Sequence, residues 1–456
     1  MKKHLKHSFY FPIIFLCLSS QFLFGQLDNR LFDIAKAPNA KAIENSIRTL
    51  ANFGTRSTLS DTVSNTRGIG AARRWIHNEF QKISSSCNQC LEVSYMNEVF
   101  KAGFNPRIKE DINISNVLAI QRGSVYPNRY VIMTADIDSR VTDVLDAQKD
   151  NPGANDNASG MAGVLEAAAV LSKYRFPTSI IYIGLSGEEQ GLLGGTTVAK
   201  FAKTNQWDII AVLNNDMIGN IEGVDGIIDN TTFRIFSEPV SILETERERA
   251  WHRVYGGEID GPSRQIARYI DKLTDLYCTN LDAKMIYRLD RFGRGGHHKP
   301  FNDEGFPGVR IMETHENYYR QHEDIRIENG IKYGDVIEGV NFDYAAKLTG
   351  VNAITLAALA WAPPPPEDVQ IGGIVQPSTR FKWKPSTFEG LTGHKIYWRE
   401  TTSAQWQYSK FVPKGLTEFT LDKIIIDNFL FGIASVGIDG NESVIVYPTT
   451  LISSRR

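Results

Sequence analysis

Apolar residues in the first four-fifths of the chain follow two alternating periods. In "AIENSIRTLANFG" and "GIGAARRWIHNEFQKI", between Asn39 and Ile83, they recur every three or four residues, which predicts amphipathic helices, the first stopping at Gly54. Farther on, the short apolar runs "SNVLAIQ", "YVIMTA", "SIIYIGL", "IIAVLN" and "GVRIM" read as buried strands. "SGMAGVLEAAAVLSKY" and "GLLGGTTVAKFAK" read as helices between them. Alternation of this kind predicts an α/β fold, with a mixed, largely parallel central sheet flanked by helices.

The period changes after "TLAALAWA". Pro363 to Pro366 can only be extended and must end the preceding helix. Beyond them "RFKWKP", "GHKIYWRET", "QWQYSKF", "EFTL", "FLFGIASVG" and "SVIVYP" alternate over short stretches between turn residues, predicting an all-β sandwich over residues 367–456. At the other end, Lys2, Lys3 and Lys6 precede the apolar "FYFPIIFLCL" and then small Gly25, which reads as a secretory signal peptide over residues 1–25. The run is broken by Pro12 and is short of the roughly 20 apolar residues of a membrane span, so no stable membrane insertion is expected after cleavage. The α/β domain then occupies residues 26–362, with 363–366 as a linker.

A chain of 456 residues has room for these two domains. Its formal net charge of -2, without a basic run, argues against nucleic acid as a partner. After cleavage three cysteines remain. In an exported protein Cys87 and Cys90 of "CNQC" are expected to form a local disulfide, leaving Cys278 as a buried free thiol.

Candidate chemistry lies where the strands end. Asp136 and Asp138 follow "YVIMTA", Glu188 and Glu189 follow "SIIYIGLSG", and Asp216 follows "IIAVLNN". In an open α/β sheet such exits share one rim, where ligands bind, and Asp156 can reach that rim from the loop before a helix. Alone, each carboxylate is no more than a solvated turn or a helix cap. Together they would repel one another unless divalent cations neutralised them. The adjacent Glu188 and Glu189 can divide the work, one ligating metal and the other taking a proton. His322 sits in a loop after "GVRIM", within reach of the rim, and His297 and His298 sit among glycines in "GRGGHHKPF", which fits a substrate-facing loop or an ordinary surface loop.

Assembled in order, "IDSR", "PGANDNASG", "LSGEEQGLLGG", "NNDMIGN", "GGHHKPFNDEGFPGVRI" and "QHEDI" resemble the M28-type zinc aminopeptidases, from Asn39 to Trp361. The C-terminal strands resemble a fibronectin type III domain, with Trp383 in the second strand and Phe429 in place of the usual core tyrosine. Carried over by position, the resemblance implies two divalent metals, expected to be zinc. Asp156 would bridge them, Glu189 and His322 would complete one site, Asp216 would ligate the other, and Glu188 would be the general base. The remaining ligand of the family is a histidine, and Asp136 stands there. Asp138 matches the aspartate that would orient that histidine, and His298 falls on the substrate side of the pocket. His297 also stands where an aspartate is common.

Three functional readings follow. The first is an exported metallo-aminopeptidase acting on peptide or protein N-termini. The second is a single-zinc glutaminyl cyclase-like acyltransferase, and the third a catalytically weakened binding or adhesion protein. Side-chain preference and oligomeric state are not encoded in any motif.

Overall fold

The computed structural model describes residues 27–452, so the expected signal peptide lies outside the described residues. Three helices come first among the described residues: α1 (Asn29–Lys36), α2 (Ala40–Ala51) and α3 (Gly68–Ser86). The two predicted between Asn39 and Ile83 are α2 and α3. Asn39 caps α2 by accepting from the N–H groups of Lys41 and Ala42, and Ile43, Ile47 and Leu50 are its buried stripe. Strands β1 (Leu91–Phe100), β2 (Ile112–Gln121) and β3 (Tyr126–Asp136) follow, then α4 (Ala158–Leu171), β4 (Thr178–Leu185), α5 (Leu193–Thr204), β5 (Asp208–Asn215) and β6 (Thr232–Ser237). Next come α6 (Glu246–Tyr255), α7 (Pro262–Tyr277), β7 (Asp282–Ile286), α8 (His298–Asp303) and β8 (Gly308–Glu313).

These eight strands form one sheet in the order β1-β2-β4-β3-β5-β8-β6-β7. The centre, β4-β3-β5-β8, is parallel, whereas β2 runs antiparallel to β4 and β6 antiparallel to β8. The sheet is thus mixed with a parallel core. Its central strands are buried along nearly their whole length, which is why they read as unbroken apolar runs. β1 is mostly exposed and offered no such run.

A hairpin of β9 (Arg326–Glu328) and β10 (Ile331–Tyr333) precedes α9 (Phe342–Trp361). That helix is buried along nearly its full length, so it shows no polar stripe. The C-terminal strands are β11 (Gln370–Gly372), β12 (Thr379–Lys382), β13 (Leu391–Glu400), β14 (Tyr408–Pro413), β15 (Glu418–Leu421), β16 (Phe429–Gly437) and β17 (Thr450–Leu451). They form a four-stranded sheet, β15-β12-β11-β17, and a three-stranded one, β14-β13-β16, around Phe381, Trp383, Ile396, Phe431 and Ile433. "SVIVYP" is not a strand. It meets β16 through an isolated bridge at Val446, a second bridge at the preceding Glu442, and the Ser443 N–H, which donates to the Ser435 carbonyl. Trp383 lies just past β12 and is 2% exposed.

The C-terminal sheets are docked on the α/β domain. Asp260, whose side chain is fully buried, pairs with Arg268 of α7 at 2.8 Å and with Arg399 of β13 at 2.7 Å. Trp406 donates to Gln265, and Arg268 Nε donates to the carbonyl of Ala404. The four prolines are partly packed, with Pro363 lying against Gly437. Cys87 and Cys90 are disulfide-bonded, and Cys278 is free but only partly buried, its thiol pushed up to about 12 by desolvation.

Removing Asp260 would leave two buried guanidinium groups without their shared counter-charge, a loss of about 3–5 kcal/mol. Asp260→Ala is therefore expected to lower the urea midpoint of the whole chain, and a triple variant that also replaces Arg268 and Arg399 with apolar residues should recover most of the loss.

Candidate metal centre

The parallel strands bring their C-terminal ends to one rim. Asp136 is the last residue of β3, Glu188 and Glu189 lie in the turn after β4, and Asp216 follows β5. Asp156 stands two residues ahead of α4, whose cap is Asn157. His322 comes from the loop after β8. All six of the expected site carboxylates, these five and Asp138, thus converge from four segments of the chain.

One ligand grouping is complete. Asp156, Glu189 and His322 each offer a ligand atom within 4.8 Å of the others. His322 Nε2 lies 2.9 Å from Asp156 Oδ2 and 3.0 Å from Glu189 Oε1. Burial opposes a charged imidazole, but Glu189 and Asp156 hold His322 up at about 10. Its Nε2 proton therefore sits where a cation would. An imidazole nitrogen with two carboxylates is a zinc donor set, so the residues present fit that ion. Arg140 touches both sides of the group, with Nη2 2.9 Å from His322 Nδ1 and Nε 3.2 Å from Glu189 Oε2. Nothing in the sequence pattern singled out Arg140.

The other expected ligands are arranged differently. Both Asp136 oxygens are taken: Oδ2 accepts from Asn157 Nδ2 at 2.8 Å and Oδ1 lies 2.5 Å from His297 Nδ1. Asp216 Oδ2 pairs with the buried Arg310 guanidinium at 2.8 Å. Burial raises Asp216 to about 6 against that pairing, and burial followed by the charge of Asp216 pushes Asp136 well above the ordinary carboxylate range.

Two expected roles are corrected. Asp138 does not orient the side chain at position 136. It accepts from the N–H groups of Glu188 at 3.2 Å and Glu189 at 3.1 Å and from the Thr58 hydroxyl at 2.9 Å, so it fixes the turn that presents both glutamates. His298 does not face substrate. It is fully buried at the start of α8, with Nε2 2.8 Å from the Leu289 carbonyl.

Two further residues hold the rim together and were missed. Arg56, buried, donates to the carbonyls of Ile137, Leu50 and Gly153, which joins the exit of β3 to the loop carrying Asp156. Asp335 accepts from the N–H groups of Asn155 at 2.8 Å and Asp156 at 2.6 Å. A lone arginine and a lone aspartate on loops carry no periodic signal, so sequence spacing could not find them.

The region matches the peptidase family M28 over residues 116–333. A probable zinc metalloprotease of Pyrenophora teres f. teres is 41% identical over 425 residues, covering 92% of this chain and 87% of that protein. The chain belongs to peptidase family M28. Another probable zinc metalloprotease, from Leptosphaeria maculans, is 40% identical over 415 residues, 90% of this chain and 94% of the relative. Such coverage exceeds what the α/β domain alone could supply, so the relatives of this M28 metallopeptidase extend into the C-terminal strands. Among solved structures, the LapA aminopeptidase of Legionella pneumophila superposes with a TM-score of 0.53 at 18% identity, over 74% of this chain and 75% of that one. An aminopeptidase of Aneurinibacillus sp. strain AM-1 does so with 0.50 at 13% identity, over 73% and 97%. At these identities the likeness is one of fold.

Zinc bound at Asp156, Glu189 and His322 of this metallopeptidase would stabilise the folded chain by mass action, by about 4 kcal/mol at a thousandfold excess over Kd. Thermal melts of chelator-stripped protein should rise on adding zinc, and His322→Ala should lose most of the rise.

Proposed function

We propose that this M28 zinc metallopeptidase is an exported aminopeptidase that removes residues from peptide N-termini. The observation that carries the reading is the position of Glu188. The residue is half-buried on the rim, next to the buried ligand Glu189, and the backbone N–H groups of both are pinned by Asp138. Burial, and after it the charge of Glu189, pushes Glu188 well above the ordinary glutamate range, a property suited to accepting and returning a proton.

When bound, the metal would polarise the scissile carbonyl and make a nearby water acidic. Asp156, Glu189 and His322 would hold it. Glu188 takes a proton from the attacking water and delivers it to the leaving amine. Asp138 keeps Glu188 in register through that exchange.

One feature supports the amino end of a peptide over the carboxyl end or the middle. The rim is strongly acidic, with Asp136, Asp138, Asp156, Glu188, Glu189 and Asp216 against Arg140, Arg310 and His322, which favours a substrate ammonium over a carboxylate. The cleft that Asp156 lines with Asn220, Arg320, Gln321 and Asp335 holds only about 10 Å³, the space of a single water. A much larger cavity of about 560 Å³, lined by His252, Pro262, Pro363 and Tyr447, lies at the junction with the C-terminal strands, away from the carboxylates. The apolar leader of residues 1–25 and the Cys87–Cys90 bond support export.

A single-metal glutaminyl cyclase is the second reading. It is favoured by one observation, the single complete grouping of Asp156, Glu189 and His322 among the described residues that offers an imidazole. Assay of the purified zinc-loaded protein on aminoacyl anilides, their N-acetylated forms and a Gln-peptide separates the two. Hydrolysis of the free-amine anilides alone is expected, and pyroglutamate formation without hydrolysis would reverse the assignment. Glu188→Gln should cut kcat by roughly 10²–10⁴ with KM little changed.

A further inference from the structure

At the β1 edge of the sheet a polar wall stands where a helix would ordinarily pack on apolar side chains. β1 and β2 pair antiparallel, with Asn97 opposite Ser115 and Val99 opposite Asn113. Residues two apart on a strand share a face with one another and with their cross-strand partners, so Tyr95, Asn97, Asn113 and Ser115 lie on one side of the ladder. α3 faces that side. Most of the helix packs through Ile69, Ala72, Ile76 and Phe80, but Arg73 and Arg74 meet the polar wall instead. Between them lies a cavity of about 320 Å³ whose lining, among the described residues, includes no carboxylate.

The two guanidinium groups are poorly compensated. Arg73 is 6% exposed. Its Nε donates to Ser186 Oγ at 3.1 Å, but its Nη1 reaches the Asn113 carbonyl only at 3.4 Å and its Nη2 has no partner. Arg74 donates to the carbonyls of Thr62, Val63 and Ser64, all neutral acceptors. Asp138 acts on Arg73, and Asp61 is acted on by Arg74, through space and without an ion pair. Burial pushes the Arg73 guanidinium down to about 10. Buried charges are normally paired, as Arg268 and Arg399 are with Asp260.

The surroundings hold both arginines at the cavity. Gly70 lies one turn before them on the same face of the helix. A Cβ there would collide with the Thr62 carbonyl oxygen, so glycine lets the loop of Thr62, Val63 and Ser64 close on the helix and fix Arg74 beside Arg73. Across the cavity Tyr95 is stacked on His77, with ring centroids 4.6 Å apart and planes 8° from parallel. Polar groups thus come from two opposed walls. A planar carboxylate can meet only one wall. A tetrahedral oxyanion can present oxygens to both, and guanidinium groups are the side chains suited to it.

We propose that this cavity binds a phosphate or sulfate group, held by Arg73 and Arg74 on the helix side and by Tyr95, Asn97 and Asn113 on the ladder side. Asn97 and Asn113 are exposed, so the cavity opens to solvent and admits either the free anion or the head of a phosphate ester. The site is separate from the metal centre, and it stands whether or not the chain is an aminopeptidase.

Calorimetric titration of the full chain with inorganic phosphate, sulfate and methyl phosphate tests the site. The chain is first stripped with chelator, so that no metal can take the anion. One equivalent of phosphate is expected to bind, with affinity falling as sodium chloride rises. Arg73→Gln and Asn97→Asp should each weaken binding by about tenfold or more, the first by removing a charge-assisted donor and the second by setting a carboxylate against the anion. Asn97 is exposed, so its variant keeps the test decisive if Arg73→Gln does not fold, as circular dichroism will show. Methyl phosphate binding as well as phosphate would support an ester head as the occupant, and its exclusion would support the free anion. Absence of phosphate binding to wild type, or binding that Asn97→Asp leaves unchanged, would overturn the proposal.

Discussion

Repulsion among buried carboxylates is the constraint around which this molecule is organised. Three parallel strands and the loop before α4 deliver Asp136, Asp156, Glu189 and Asp216 to one rim, with Glu188 and Asp138 beside them. Desolvation alone would drive protons onto such groups, and their mutual charges add to that drive. In the metal-free form the balance is carried by the His322 Nε2–H between Asp156 and Glu189 and by two guanidinium groups, Arg140 at its edge and Arg310 against Asp216. None of these groups reaches Asp136, whose neighbours are an amide and a neutral ring.

Holding such a rim open requires anchors that are not themselves part of the chemistry. Arg56 ties the β3 exit to the Asp156 loop through backbone carbonyls, Asp335 ties down the backbone of Asn155 and Asp156, and Asp138 ties down the glutamate turn. Each is a buried charge spent on backbone groups, which fixes loop geometry more rigidly than a contact between two long side chains would. The C-terminal sheets use the same device at larger scale, with Asp260 clamping α7 to β13 through two arginines.

The strands that carry the site were readable because they are buried on both faces and leave unbroken apolar runs; the helices around α4 and α5 were readable from their length. Elements contributed by the stretch between Asp216 and His297 were not. β6, β7 and α7 fall there among polar residues, and α7 shows its apolar stripe only once its partners are known. "SVIVYP" alternates like a strand yet meets β16 only at scattered backbone bonds, so its alternation does not become a ladder. The metal-type ligands at Asp156, Glu189 and His322 could be named from order and spacing. The role of Asp138 could not, because it depends on which backbone groups fold back over it. Nor could the choice between His297 and His298, adjacent at the start of α8. One step along the chain turns a side chain by about 100° around the axis, enough to send one ring to Asp136 and the other to the Leu289 carbonyl.

That one-residue difference also explains why the two departures belong together. With the pair in contact, aspartate at both positions would set two buried carboxyls against each other, and only one of them could ionise. Histidine at both would leave two rings competing for one hydrogen bond with no carboxylate to orient either. One of each satisfies the contact, and it does so in either order. The contact therefore demands complementarity without dictating which residue the strand end supplies. Asp136 and His297 are a coupled solution to that demand, and the imidazole missing from the end of β3 has its counterpart across the contact, at the cap of α8.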